Sequence, residues 1–352
     1  MKQDKPIQLS SNSRNLAEVS FMRPILVILL VLYHAFIVYN NGWEEPAGFS
    51  ANPFYKWLDR SSYAFLLESF VFISGYIWSY QRIEQQKQES FGILIKKKIK
   101  RLIIPSILFS ILYILLFSPN SLIVKNLIGG GDLLLNILSG AGHLWFLPAL
   151  FWCFLFIWII EQFKLSPYLK FIGLLILSIL SFIQLPLRLD KAMYFLLFFY
   201  GGYFVRENHG KIQARIKSTN VLFLWLAFVF FFIVLMIIRD KFAAYSIGDI
   251  TLTTKIFIRS ADRVCQIIYS SIGVLAFYFT SVLYCRNNNL SPKYIEIGKY
   301  CFAVYIFQQF ILKIVYYHSE FPVQLGPQIL PIFGFVFTLI LSVFLAKVIK
   351  DI

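Results

Sequence analysis

The chain alternates between apolar blocks of about twenty residues and short polar segments, and that block length is what carries an α-helix across a bilayer. Ten blocks stand out, at residues 21–39, 61–80, 99–117, 143–162, 168–185, 191–206, 221–238, 264–284, 299–316 and 330–348. A membrane β-barrel would instead show short segments of period-two alternation. The pattern therefore predicts an all-α fold, a polytopic membrane helical bundle of about ten transmembrane helices. Residues 1–20 precede it as a polar segment, and residues 21–349 form one transmembrane domain. The blocks 168–185 and 191–206 are separated only by the turn-like PLRLD at 186–190. The apolar run from Pro24 is too long for a signal-peptide core and lacks a small-residue cleavage site, so the first helix is expected to remain as a signal anchor.

Composition sharpens this picture. Of 352 residues, 58% are hydrophobic, 18% aromatic and only 14% charged, with a mean hydropathy of +0.68; a soluble domain carries about 25% charged residues. A net charge of +15 would by itself suit nucleic acid. Its placement argues otherwise, because the basic residues sit between apolar blocks, where topology determinants are found. With both termini inside, inner segments hold 22 Lys and Arg and outer segments 11, which predicts an N-in, C-in topology with a cytoplasmic segment 1–20. The stretch QRIEQQKQESFGILIKKKIKR (81–101) alone contributes seven of the inner ones. The outer loop 239–263 is the exception, with five basic residues and three Asp. The four cysteines fall in or at the ends of apolar helices and read as small core residues rather than a disulfide framework.

Candidate chemistry begins in the first block, FMRPILVILLVLYHAF (21–36), which carries an arginine and a histidine. Eleven residues of α-helix rise about 16.5 Å and turn about 1100°, three turns and roughly 20°, so Arg23 and His34 share one face. Arg23 directly precedes Pro24 and is expected at the helix start. An ionisable residue within a span normally faces a partner or a water-filled cavity. An anchoring Arg23 and a hydrogen-bonded core His34 would each be ordinary alone. The pair on one face suggests a site in which a cation at one mouth holds an anionic co-substrate and a histidine at depth acts as general base.

These residues resemble the acyltransferase-3 family of integral membrane O-acyltransferases, whose first span carries arginine, ten residues, then histidine. Four further stretches agree in order: FVFISGYIW (70–78), KKKIKRLIIPS (96–106), GHLWFLPAL (142–150) and GKYCFAVYIFQQF (298–310). The resemblance spans nearly the whole chain. It implies transfer of an acyl group, usually acetyl, from cytoplasmic acyl-CoA to a hydroxyl of a cell-surface or secreted glycan or its lipid-linked precursor. It makes His34 the catalytic histidine and Arg23 a functionally important residue, in keeping with the reading of Arg23 as a donor-binding cation. The family's paired arginines before the third span fall on Lys98 and Arg101, of which lysine keeps the charge but loses the bidentate fork. The family often has a histidine three residues after the tyrosine of its ninth span, whereas here Tyr305 is followed by Gln308, which cannot transfer a proton. Glu68 stands where an apolar residue or proline is expected.

Glu68 is a candidate to orient His34 as a carboxylate–histidine pair, to bind acceptor hydroxyls, or to face the outer mouth. His143 and Trp145 open the fourth block and are read either as an interfacial belt or as the acceptor site, with the indole as a sugar-stacking platform. His209 and His318 read as solvated loop residues. Ser74 and Gly75 read as a close-packing pair rather than a nucleophile, since no G-x-S-x-G elbow surrounds the serine. The expected co-substrate is acetyl-CoA or another acyl-CoA, with no metal. The expected partners are that donor, the glycan or lipid-linked saccharide and membrane lipids, with a homodimer as one option for the assembly. The expected location is a bacterial cytoplasmic (inner) membrane. A transporter or flippase is the rival class, although the repeat symmetry and matched helix breaks of transporters are not found.

Overall fold

The computed structural model describes residues 16–46, 48–87, 89–117, 131–245 and 251–350; most of the N-terminal segment 1–20 lies outside them. Among the described residues the chain is helical throughout, with no strand. In chain order the helices are α1 (Ala17–Phe36, extended by a 3-10 turn Ile37–Asn40), α2 (Pro53–Tyr63), α3 (Leu66–Ile83), α4 (Phe91–Phe117), α5 (Gly131–Ser139), α6 (Phe146–Ile160), α7 (Pro167–Leu180), α8 (Leu189–Glu207), α9 (His209–Arg215), α10 (Ser218–Tyr245), α11 (Leu252–Asn287), α12 (Pro292–Tyr317) and α13 (Phe321–Lys350).

Each of the ten apolar blocks falls on one of these helices. Among the described residues seven are long and apolar enough to cross a membrane: α1 with its 3-10 extension, α4, α6 with the turn before it, and α10 to α13. The blocks that fall short do so for visible reasons. Helix α7 has 14 residues, about 21 Å of rise against a hydrocarbon core of about 30 Å. Helix α8 carries Asp190, Lys191, Arg206 and Glu207 at its ends, and α3 carries Glu68 and Arg82. The expected outer loop 239–263 is mostly helix instead, since α10 runs on to Tyr245 and α11 begins at Leu252. Two of its charges explain how that is tolerated: Arg239 Nε donates to Asp262 Oδ1 at 2.5 Å and Arg239 also donates to the Tyr269 hydroxyl.

The described residues cluster into two compact units, the first made of Met1–Phe70, Gln213–Leu226 and Gly273–Ile352, the second of Val71–Ile212 and Ala227–Ile272. In the first, α1 packs against α12 and α13. Val27 and Val31 meet Val304, while Ala35 and Phe36 meet Ile311, Leu312 and Val315. Two tyrosines fasten α12 to the α1 backbone, Tyr294 donating to the Phe21 carbonyl (2.6 Å) and Tyr316 to that of Ala35 (2.5 Å). Helix α1 starts at Ala17, so Pro24 lies inside it and Arg23 is not at the helix start. The proline forfeits one backbone bond, and the packed side chains on both sides of it, Val19 and Met22 before and Leu26 and Val27 after, hold the helix together. Helix α2 is capped by Asn52, whose Oδ1 accepts from the amides of Phe54 and Tyr55, with Pro53 at the first position. It is tied to the start of α13, Tyr55 donating to the Gln328 carbonyl at 2.9 Å. There Gly326, at φ +67°, bends the chain ahead of Pro327.

In the second unit α3 and α8 cross at two glycines. A Cβ on Gly75 would collide with the Phe199 carbonyl, and one on Gly202 with that of Phe72. Around the crossing the rings of Trp78, Phe154 and Phe199 interlock edge to face, with Tyr203 tilted against Trp78, each such pair contributing about 0.5–1.5 kcal/mol beyond its burial. Helix α4 contains a π turn at Ile99–Ile103, which takes in Lys100 and Arg101 of its basic run and follows Lys96, Lys97 and Lys98.

Candidate active site

His34 is buried, 6% exposed, in the last turn of α1. Its Nδ1 lies 3.0 Å from the Leu30 carbonyl oxygen. A carbonyl only accepts, so Nδ1 carries a proton, and in the neutral imidazole the lone pair then resides on Nε2. The helix thus sets the tautomer a general base requires, because residue i−4 supplies the acceptor. The Leu30 carbonyl thus orients the ring through Nδ1.

Aromatic side chains surround the imidazole. The Tyr33 ring stands edge-on at 4.8 Å and is itself stacked on Tyr63 at 4.0 Å. The Trp43 indole lies at 6.2 Å and 25°, with the Lys313 ammonium 5.3 Å from its centroid. Glu68 is 4% exposed and lies within electrostatic reach of Tyr63. Arg23 is exposed at the far end of the same α1 stripe, near Cys301 of α12. Arg23, His34 and Glu68 thus all belong to the first unit.

Sequence reasoning missed Asp59, which lies in the short helix PFYKWLDRSSY. The packing of α2 on α1 buries it completely, at 0% exposure, with neither carboxylate oxygen in hydrogen-bonding geometry. Tyr33 and Tyr63 lie within its electrostatic reach. Burial pushes the Asp59 carboxyl up to about 7, against the smaller opposing influence of the Asn40 amide and Arg60. Since the unfolded value is about 3.9, the folded state holds the proton more tightly. The stability this gives is fully present below about pH 4 and is lost as pH rises to 7, a change on the order of 4 kcal/mol. Asp59→Asn should therefore gain on wild type in thermal unfolding as pH is raised from 5 to 8. An equal gap at both pH values would dismiss the buried-carboxyl account.

The second unit holds Lys98, Arg101, His143 and Trp145. Lys98 ends the α-helical start of α4 and lays its ammonium 3.2 Å from the Phe154 ring centroid, while Arg101, inside the π turn, is exposed. His143 is buried, 5% exposed, in the 3-10 turn Gly142–Trp145, with its ring edge-on to Tyr113 at 6.3 Å. Trp145 stacks one face on Phe195, with the rings 8° from parallel. His209 is not simply solvated: its Nδ1 is 2.8 Å from the Tyr76 hydroxyl, which also accepts from Arg206 at 3.0 Å. A cavity of about 670 Å³ lies beside Arg82, Ile83, Gln86 and Tyr203. Elsewhere in this unit Arg206 is paired with Glu84. Cys153, Cys265, Cys285 and Cys301 are free thiols.

Seven described helices long and apolar enough to cross a bilayer make this a multi-pass helical membrane protein. The family model described as an acyltransferase domain matches residues 16–347, nearly the full length, and the chain belongs to that family, acyltransferase-3. No curated protein and no solved structure matches it.

Proposed function

We propose that this membrane acyltransferase moves an acyl group, acetyl in the first instance, from acyl-CoA to a hydroxyl of a cell-surface or secreted glycan or its lipid-linked precursor. The observation that carries the reading is the Nδ1 contact of His34 with the Leu30 carbonyl, which leaves Nε2 as the ring's proton acceptor. In this reading His34 Nε2 takes the proton of the acceptor hydroxyl as its oxygen attacks the thioester carbonyl. The leaving CoA thiolate then recovers that proton.

Arg23 lies about 16.5 Å along the helix from His34, a span comparable to the pantetheine arm, so it suits the donor's phosphates. Lys98 and Arg101 are further donor-binding candidates, and His143, Trp145 and Glu68 are candidates on the acceptor side. The site is read as lying in a bacterial inner membrane across ten spans with both termini in the cytoplasm. The test is purified protein in detergent with radiolabelled acetyl-CoA and a cell-envelope glycan extract. Label is expected in the glycan fraction, with weaker donor binding in Arg23→Ala. Should the protein neither bind nor consume acetyl-CoA or longer acyl-CoA donors, the reading is abandoned.

A further inference from the structure

Gln308 is fully buried, at 0% exposure, and neither its Nε2 nor its Oε1 has a hydrogen-bond partner. A buried, unsatisfied polar atom costs about 1–3 kcal/mol, and this side chain carries two. The serine and threonine hydroxyls in the same position, Ser69, Ser79, Ser106 and Thr338, can each turn about χ1 onto a carbonyl of their own helix. The carboxamide of Gln308 does not fold back onto its own helix, as that of Gln162 does onto the Trp158 carbonyl at 3.1 Å, and both its donor and its acceptor stay unsatisfied. A chain under selection only for stability would hold an apolar residue of the same length there.

Its place in the fold says what the group is for. On α12, Gln308 lies four residues after Val304 and three before Ile311, so all three share one helical stripe. Val304 packs on Val27 and Val31 of α1, while Ile311, Leu312 and Val315 pack on Ala35 and Phe36. Gln308 is therefore level with residues 31–35 of α1, the turn that contains His34. Both residues belong to the same unit.

We propose that Gln308 donates from Nε2 to the carbonyl oxygen of the acyl thioester and stabilises the oxyanion formed when the acceptor attacks. This inference rests on the acyl-transfer reading of His34. In the step, the acceptor oxygen bonds to the carbonyl carbon, its proton passes to His34 Nε2, and the carbonyl π pair moves onto the oxygen that Gln308 holds. When the intermediate collapses the C=O re-forms, the C–S bond breaks, and His34 returns the proton to the thiolate. The products are an ester and a thiol. A neutral donor fixed in a water-excluded core needs no reorganisation as the charge develops, which makes such groups effective.

Gln308→Met and Gln308→Leu, two apolar replacements of similar size, test this in the full-length protein with acetyl-CoA and the glycan extract. The expected result is a kcat lowered about 10²–10³-fold. KM for acetyl-CoA should stay within about threefold, the mark of an interaction made in the transition state. The melting temperature should be unchanged or raised, since an unsatisfied amide has been removed. A structural role predicts the reverse, a lower melting temperature with kcat retained, and that result overturns the proposal. If wild type and both variants turn over alike, Gln308 loses its role while the function of His34 stands. If wild type consumes no acyl-CoA, both readings fall together.

Discussion

His34→Ala is expected to lower the rate of acyl transfer about 10²–10⁴-fold, the usual worth of a positioned acid–base group. Binding of acetyl-CoA should survive, because the imidazole is assigned to the acceptor's proton and not to the donor's phosphates. The buried ring touches Tyr33 and Trp43, so its removal also leaves a small cavity. A control is needed that fills the space without offering a proton acceptor, and His34→Phe provides it. Both variants should remain folded in detergent, bind acetyl-CoA and fail to label the glycan. Imidazole added to His34→Ala should restore part of the rate, because free imidazole can enter the vacated volume and accept the proton. Transfer by His34→Ala within about tenfold of wild type would remove the general-base assignment.

The second large effect is on stability. At the α3–α8 crossing, a Cβ on Gly202 would sit 2.8 Å from the Phe72 carbonyl carbon, and one on Gly75 2.8 Å from that of Phe199. Backbone atoms cannot rotate out of the way, so the two helices would have to separate. Each Gly→Ala change should cost about 1–3 kcal/mol or more, and together they should prevent recovery of folded protein. Gly201, the immediate neighbour, faces open space, and a Cβ added there would meet nothing within 4 Å. Gly201→Ala should therefore be neutral or stabilise α8 by up to about 1 kcal/mol. Melting temperatures of the three single variants, read by size-exclusion chromatography after heating, decide the matter. Equal losses at Gly201 and Gly202 would overturn the close-approach account, because helix propensity alone favours alanine at both positions.

Much of this was legible in the chain. Block length and hydropathy alone locate the seven long apolar helices, since burial of backbone polar groups in lipid leaves few alternatives to a helix. The small pair Ser74–Gly75 signalled a close helix crossing, which Gly75 now makes against Phe199. The face shared by Arg23 and His34 followed from helical periodicity. What periodicity does not carry is contact between distant segments. Asp59 looks like a surface residue because its burial depends on α2 folding back on α1. Gln308 could be read only as a departure from a motif, since its unsatisfied amide exists once α12 packs beside α1. Pro24 misled for a similar reason: proline marks a helix start in isolation, yet tertiary packing carries α1 nearly two further turns before it. The tautomer of His34 was within reach, because a histidine deep in a helix has the carbonyl four residues back at hand.

The π turn at Ile99–Ile103 behaves as an inserted residue held inside an otherwise α-helical rod. Each α-helical residue turns the rod by about 100°, so the extra one resets the bearing of everything before it relative to everything after. The azimuth of Lys96, Lys97 and Lys98 is thus set against Ser106 and Ser110 by one residue of surplus length. Shortening that stretch by a single residue would leave a sound helix and swing its charged collar about a quarter of a circle.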